Sequence, residues 1–187
     1  MERCLVLIKP DGVERALIGK IISRFEDAGL HIVGLKLMRA KEETVEKHYT
    51  DDEGWLVSVG KKAKQAAIDK GEKVTETEKE IGIRVRKALI HELTRMPIVG
   101  FVLEGNAAVD VARKICGATE PRKADPGSIR GMYASDSYSL ADIKKRSVRN
   151  LIHVSESPEI AEKEIGIWFS KNEICAYERA DEKAMYG

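Results

Sequence analysis

The sequence predicts an α+β sandwich, a four-stranded antiparallel sheet packed against helices, and three observations carry that prediction. Apolar runs of strand length stand at residues 3–9, 33–37, 98–103 and 151–155. Apolar positions at helical spacing follow the first, third and fourth of these runs. Turn signals containing Gly, Pro or Ser separate the segments, so each change of period has a chemical cause.

The first run is rich in Leu, Val and Ile and ends at Pro10-Asp11-Gly12, which reads as a buried strand entering a turn. Leu17, Ile18, Ile21, Ile22 and Phe25 then share one helical face, and Gly29 is placed to end that helix. Val33, Leu35 and Leu37 alternate with Gly34, Lys36 and Met38 to give the second strand, and Ile98 to Leu103 gives the third. Asn106 is read as the cap of a helix whose apolar positions are Val109, Ala112 and Ile115 and which Gly117 ends. Leu151–Ser155 is the fourth strand. Ser157-Pro158 supplies an N-cap and a first-turn proline for a helix expected to bury Ile160, Ile165, Trp168 and Phe169.

The order β-α-β, then β-α-β-α, with helices gathered on one side, matches a ferredoxin-like βαββαβ sandwich. Residues 1–187 read as one domain. Two stretches lie outside the plan. Residues 53–96 are rich in Lys, Glu and Ala, and Ile81, Val85, Ala88 and Leu89 keep a helical period, which predicts an inserted helical hairpin. Residues 131–149 are a Ser/Tyr/Asp segment followed by Lys144-Lys145-Arg146, read as an extended loop with about one helical turn.

Composition narrows the function classes. The 32 Lys+Arg nearly balance the 31 Asp+Glu, so no global basic field draws the chain to nucleic acid, and any anion preference must be local. Cys4, Cys116 and Cys175 are odd in number and form no CxxC, which fits a reducing compartment and argues against a structural metal. The apolar run Cys4–Ile8 is too short for a signal-peptide core or a membrane span, and the cytoplasm is the expected location.

Of the four histidines, His31, His48 and His91 read as ordinary surface or half-buried residues. His153 ends Arg149-Asn150-Leu151-Ile152-His153, so a strand carries it; its local context alone reads as a core histidine bonded to a neighbour. The remaining chain shifts that balance. Phosphoryl transfer needs a positioned nucleophile and positive or polar donors for the transferring oxygens. Lys9, Arg113, Thr119 and Arg130 all lie at the ends of elements, and the arginine fork suits phosphate. There is no GxxxxGK[ST] and no GxGxxG after a strand, so a nucleotide site must be built from side chains.

These residues fall into an ordered series: Ile8-Lys9-Pro10-Asp11-Gly12-Val13, His48-Tyr49, Ala118-Thr119-Glu120-Pro121, Pro126-Gly127-Ser128-Ile129-Arg130-Gly131, Arg149-Asn150-Leu151-Ile152-His153 and Gly166-Ile167-Trp168-Phe169. In this the chain resembles the nucleoside diphosphate kinases. The resemblance implies transfer of the γ-phosphate of a nucleoside triphosphate to a nucleoside diphosphate, in a ping-pong cycle through phosphorylated His153. It implies that Lys9, Tyr49, Arg113, Thr119, Arg130 and Asn150 hold the phosphates and sugar. It further implies that Glu164 binds the far imidazole nitrogen with Ser155 beside it, and that Mg²⁺ arrives on the nucleotide phosphates with no direct protein ligand. A homo-oligomer, a hexamer or a tetramer of dimers, is implied as well.

The chain departs from the family pattern at three places. Val154 and Glu156 stand where the family has Gly and Asp, and a required positive φ would strain a β-branched residue. Leu56 and Val57 occupy the offset of an aromatic pair, leaving Trp55, Tyr133 and Tyr138 as rings that could cover a base. Both insertions border the expected cleft. The competing reading is an inactive scaffold of the same fold that binds nucleotides or polyanions through Lys144, Lys145, Arg146 and Arg149.

Overall fold

A computed structural model describes residues 1–69, 71 and 73–187 of the chain. Four strands, β1 (Glu2–Ile8), β2 (His31–Met38), β3 (Ile98–Gly105) and β4 (Ile152–Val154), form one sheet in the order β2-β3-β1-β4. Every pairing is antiparallel, as the ferredoxin-like plan requires. β1 therefore lies inside the sheet, with Val6, Leu7 and Ile8 opposite Val154, His153 and Ile152 of β4.

The helices cover both faces of the sheet, which corrects the expectation that they gather on one side. Cys4, Val6 and Ile8 of β1 pack with Ile21 and Phe25 of α2 (Ile18–Glu26) and with Val109 and Ala112 of α6 (Ala108–Cys116). Leu5 and Leu7 point the other way. They pack with Val45 of α3 (Glu42–His48), Leu93 of α5 (Glu78–Thr94) and Ile165 and Trp168 of α9 (Pro158–Trp168). Two buried faces explain why β1 is apolar throughout instead of alternating. Truncating Leu5 or Leu7 to Ala would cost about 2–5 kcal/mol, the usual range for large core residues.

Several ends differ from the sequence reading. Pro10-Asp11-Gly12 opens a short helix, α1 (Pro10–Glu14), where only a turn was expected. The residue before α6 is Ala107 in the left-handed region (φ 48°), with no side-chain cap from Asn106. Glu2 of β1 does that work, its Oε1 accepting the Val109 N–H at 2.7 Å. Ser157 caps α9 as expected, accepting from Ile160 N–H at 3.3 Å. Ile160 itself is 38% exposed, because the buried face of α9 is Ala161, Glu164, Ile165 and Trp168 and Ile160 falls outside that stripe.

Residues 53–96 contain the expected hairpin, α4 (Glu53–Ile68) against α5. Gly60 and Gly82 let the two backbones meet: a Cβ on Gly82 would collide with the Leu56 carbonyl, and one on Gly60 with that of Glu78. The segment 131–149 is more ordered than a loop, holding the end of α7 (Ile129–Tyr133) and all of α8 (Tyr138–Ile143), which Ser137 caps. After α9 the chain returns to β2, where Cys175 N–H donates to Val33 O at 2.7 Å. Among the described residues no helix is long and apolar enough to cross a membrane.

Candidate active site

The end of β1, the segment before β4, and α9 bring the site together. Lys9 follows β1, and its N–H donates to Leu151 O at 2.8 Å. Its ammonium donates to Asn150 Oδ1 at 2.8 Å, and Asn150 Nδ2 donates to Thr119 O at 2.8 Å, so one buried amide links two separate loops. Leu151 adopts a positive φ of 69°, and its N–H donates to Asp11 Oδ2 at 3.0 Å. That left-handed step turns the chain so that Asn150 faces Lys9 while β4 begins two residues later. The backbone strain lies at Leu151, and Val154 keeps a negative φ inside β4, so the β-branched residue is accommodated.

Arg130 is buried against the same segment. Its guanidinium donates to three carbonyls: Gly117 at 2.7 Å, Asn150 at 3.2 Å and Ile152 at 2.7 Å. Gly117, at φ 78°, ends α6 and presents that carbonyl; a Cβ there would meet Ser128. Lys9 and Arg130 carry like charge at close quarters, and among the described residues no carboxylate is bonded to either. Burial, then Arg130, lowers the Lys9 pKa to about 8. Burial also lowers that of Arg130, with Arg113 adding to the effect. Arg113 and Thr119 are exposed at the end of α6 and just beyond it. The arrangement is a local excess of positive charge that an anion would relieve.

His153 sits mid-strand on β4, partly exposed. Its Nε2 lies 3.0 and 3.2 Å from the two oxygens of Glu164 on α9. Ser155 Oγ donates to Glu164 Oε2 at 2.5 Å and receives the Leu5 N–H at 3.3 Å, so the carboxylate is itself anchored to β1. Burial would raise the Glu164 pKa, but His153, His48 and Ser155 outweigh it and hold the carboxyl below its ordinary value. An ionised Glu164 accepts only, so Nε2 carries the proton and Nδ1 keeps its lone pair.

His48 corrects the sequence reading. It is fully buried at the end of α3, its ring centroid 4.5 Å from that of His153 and 4.6 Å from that of Tyr49. Its Nδ1 receives the Trp168 indole N–H at 3.2 Å and lies 3.5 Å from Glu164 Oε1. Burial, then His153, lowers its pKa to about 3, so this ring is neutral. His48-Tyr49 was already part of the ordered series of motifs; that adjacency was the available signal. Tyr49 is buried, which raises its phenol pKa, and Trp55 of α4 stands 6.2 Å from it, centroid to centroid.

The other rings and charges are less central. Tyr133 is partly buried against the core cluster that includes Ile21, Phe25 and Val109. Arg146 pairs with Asp136 at 2.6 Å, and Arg149 N–H donates to the same carboxylate at 2.7 Å, so part of the basic cluster is tied into its own loop. Among the described residues, His48, His153 and Glu164 are the one group with metal-ligand chemistry and spacing. His48 Nδ1, His153 Nε2 and the two Glu164 oxygens are engaged with Trp168, Ser155 and one another, so the three residues form a hydrogen-bonded set.

Fold and site together define a ferredoxin-like sandwich with a carboxylate-anchored histidine and two buried cations, Lys9 and Arg130. The family model for nucleoside diphosphate kinase matches residues 2–56 and 64–174, and the chain belongs to that family. It is 45% identical over 179 residues to a nucleoside diphosphate kinase of Pyrobaculum aerophilum, covering 93% of this chain and 98% of that one. A Pyrococcus abyssi relative of the same description is 40% identical over 97% of this chain and 92% of its own. Among solved structures, an NDP kinase from P. aerophilum superposes with a TM-score of 0.90 at 42% identity, covering 94% of this chain and 99% of that one. A transition-state mimic of the Borrelia burgdorferi enzyme with bound vanadate and ADP gives 0.80 at 37%, covering 98% and 95%. Matches that span nearly whole relatives show that this chain's extended length is not peculiar to it.

Proposed function

We propose that the chain moves the γ-phosphate of a nucleoside triphosphate to a nucleoside diphosphate through His153. The observation that carries this reading is the His153–Glu164–Ser155 chain of hydrogen bonds, which leaves Nδ1 of His153 as the free nitrogen. In the first half-reaction Nδ1 attacks the terminal phosphorus. An N–P bond forms, the bridging P–O bond breaks, and the diphosphate leaves with the bonding electrons. Glu164 offsets the positive charge that develops on the imidazole. The second half-reaction reverses these steps onto another diphosphate.

Lys9 and Arg113 supply positive charge and Thr119 a hydroxyl to the phosphates, with the Tyr49 phenol near the transferring group. Asn150 and Arg130 contribute in a second way, because their bonds hold Lys9 and the Gly117 and Ile152 carbonyls in place. Their remaining donors serve the sugar and phosphates. The triphosphate enters as its Mg²⁺ complex. Lys9, Arg130 and neutral donors gather at the site while Glu164 is engaged by His153 and Ser155 and Asp11 Oδ2 by the Leu151 N–H, which suits an ion held by the phosphates. Residues 1–187 act as one domain in a homo-oligomer, a hexamer or a tetramer of dimers, in the cytoplasm.

A polyanion-binding scaffold is the weaker reading, because Asp136 takes Arg146. His153→Ala separates the two. Steady-state transfer from ATP to a second diphosphate is expected to vanish while nucleotide binding by calorimetry persists. Turnover near the parent rate in that variant would remove His153 from the mechanism.

A further inference from the structure

One hydrogen bond decides which tautomer His48 adopts beside the nucleophile. The Trp168 indole N–H, which can only donate, points at His48 Nδ1 from 3.2 Å. Nδ1 therefore bears a lone pair, and the neutral ring carries its proton on Nε2, which is buried and has no hydrogen-bond partner among the described residues. The same Nδ1 lies 3.5 Å from Glu164 Oε1, the oxygen that holds His153 Nε2 at 3.0 Å. A proton on Nδ1 would have to displace the indole N–H. It would then compete with His153 for that oxygen and put a second charge beside a ring that becomes cationic on phosphorylation.

The groups facing His48 come from every element around it: His153 from β4, Glu164 and Trp168 from α9, Tyr49 from the end of α3, and Lys9 from the end of β1. Lys9 and His153 oppose a proton on His48, and Glu164 favours one. The attraction of Glu164 is what the indole bond counteracts.

We propose that Trp168 is a positioning residue: by occupying Nδ1 of His48 it keeps that ring neutral and reserves the Glu164 carboxylate for His153. This rests on His153 being the phosphorylated nucleophile. Burial of His48 acts in the same direction, and the indole bond adds to it by stabilising the neutral form alone.

Long-range ¹H–¹⁵N spectra of the full chain, recorded from pH 5 to pH 8, test the bond directly. The wild-type protein is expected to show His48 protonated on Nε2, bare on Nδ1, and without titration. In Trp168→Phe, His48 is expected to begin titrating in that window. Phosphorylation of His153 by MgATP, followed by rapid quench, is then expected to acquire an additional acid-side loss. That loss would be up to about fourfold at pH 6 and about tenfold at pH 5.5, the limits set if His48 regained the ordinary histidine pKa of about 6.5. The KM for nucleotide is expected to stay within about twofold. Adding His48→Gln to Trp168→Phe should remove the additional acid-side loss, since the amide cannot take up the proton.

A wild-type His48 that carries its proton on Nδ1, or that titrates between pH 5 and 8, would overturn the proposal without recourse to any variant. So would a well-folded Trp168→Phe protein with the wild-type pH profile. If the expected tautomer appears but wild-type His153 takes no phosphate, the phosphotransfer reading falls and takes this role with it. A wrong tautomer together with normal phosphohistidine refutes the role of Trp168 alone.

Discussion

Around His153, hydrogen bonds join residues 141, 120 and 150 positions apart: Lys9 to Asn150, Trp168 to His48, and Leu5 to Ser155. In the α4–α5 hairpin most of them span fewer positions. Asp52 caps α4 through Trp55 three residues on, Thr77 and Glu80 form a capping box, and Lys79 reaches Glu53 across 26 positions. The hairpin touches the site at few points, chiefly Trp55 beside Tyr49 and Arg86, whose Nε donates to Tyr49 O at 2.6 Å. The difference teaches how a fold divides its labour. The site is held by contacts that exist only when the whole sheet is formed, whereas the hairpin is held mostly by local chemistry. Changes near His153 should therefore act on chemistry, and changes in the hairpin on stability.

The sharpest division is expected from Glu164→Gln. The amide still accepts from His153 but cannot balance the imidazolium charge, so phosphorylation should slow by roughly 10²-fold or less. Quenched-flow rates would measure it, and a loss as deep as that of His153→Ala would mean that Glu164 has a second task.

Gly82→Ala should do the opposite. Its Cβ would strike the Leu56 carbonyl, and overpacking of this kind costs about 1–3 kcal/mol. Denaturant unfolding should record that loss while the phosphorylation rate changes by much less than in Glu164→Gln. Equal effects on both would break the division.

The pH dependence of stability gives a third test. The His48 pKa lies near 3 when folded and near the ordinary 6.5 when unfolded, so the unfolded chain binds more protons between those values. Stability from this group is full above about pH 6.5 and falls as pH drops, by at most about 1.4 kcal/mol per pH unit. His48→Gln should flatten that slope in urea titrations at pH 5, 6 and 7; an unchanged slope would place the acid sensitivity elsewhere.

The smallest effect is expected where the hairpin is most decorated. Lys79 and Glu53 form an exposed ion pair, and replacing either by Ala should change stability by no more than about 0.5 kcal/mol. A loss above about 1 kcal/mol, measured by thermal unfolding, would show that the hairpin depends on more than caps and glycines.

The same contrast decides what was legible in the sequence. Strand and helix periods, the Ser157 cap and the α4–α5 hairpin are local patterns, and the structure carries them. His153, Lys9 and Asn150 were legible because ordered motifs named them. His48 stood in one of those motifs, but its burial was not legible, since that comes from Trp168 and His153, more than a hundred residues downstream. Glu2 capping α6, and helices on both faces of the sheet, were hidden for the same reason: each depends on which elements become neighbours. The two helices at 129–143 escaped notice because they are 5 and 6 residues long, too short for a period to show.

The most direct test of the account is the position of the phosphate on the imidazole. After mixing with MgATP, the isolated protein should carry an acid-labile, alkali-stable phosphate. Heteronuclear NMR should place it on Nδ1 of His153, because Glu164 holds Nε2 at 3.0 Å. Phosphate on Nε2, on Ser155, or on no histidine would contradict the account.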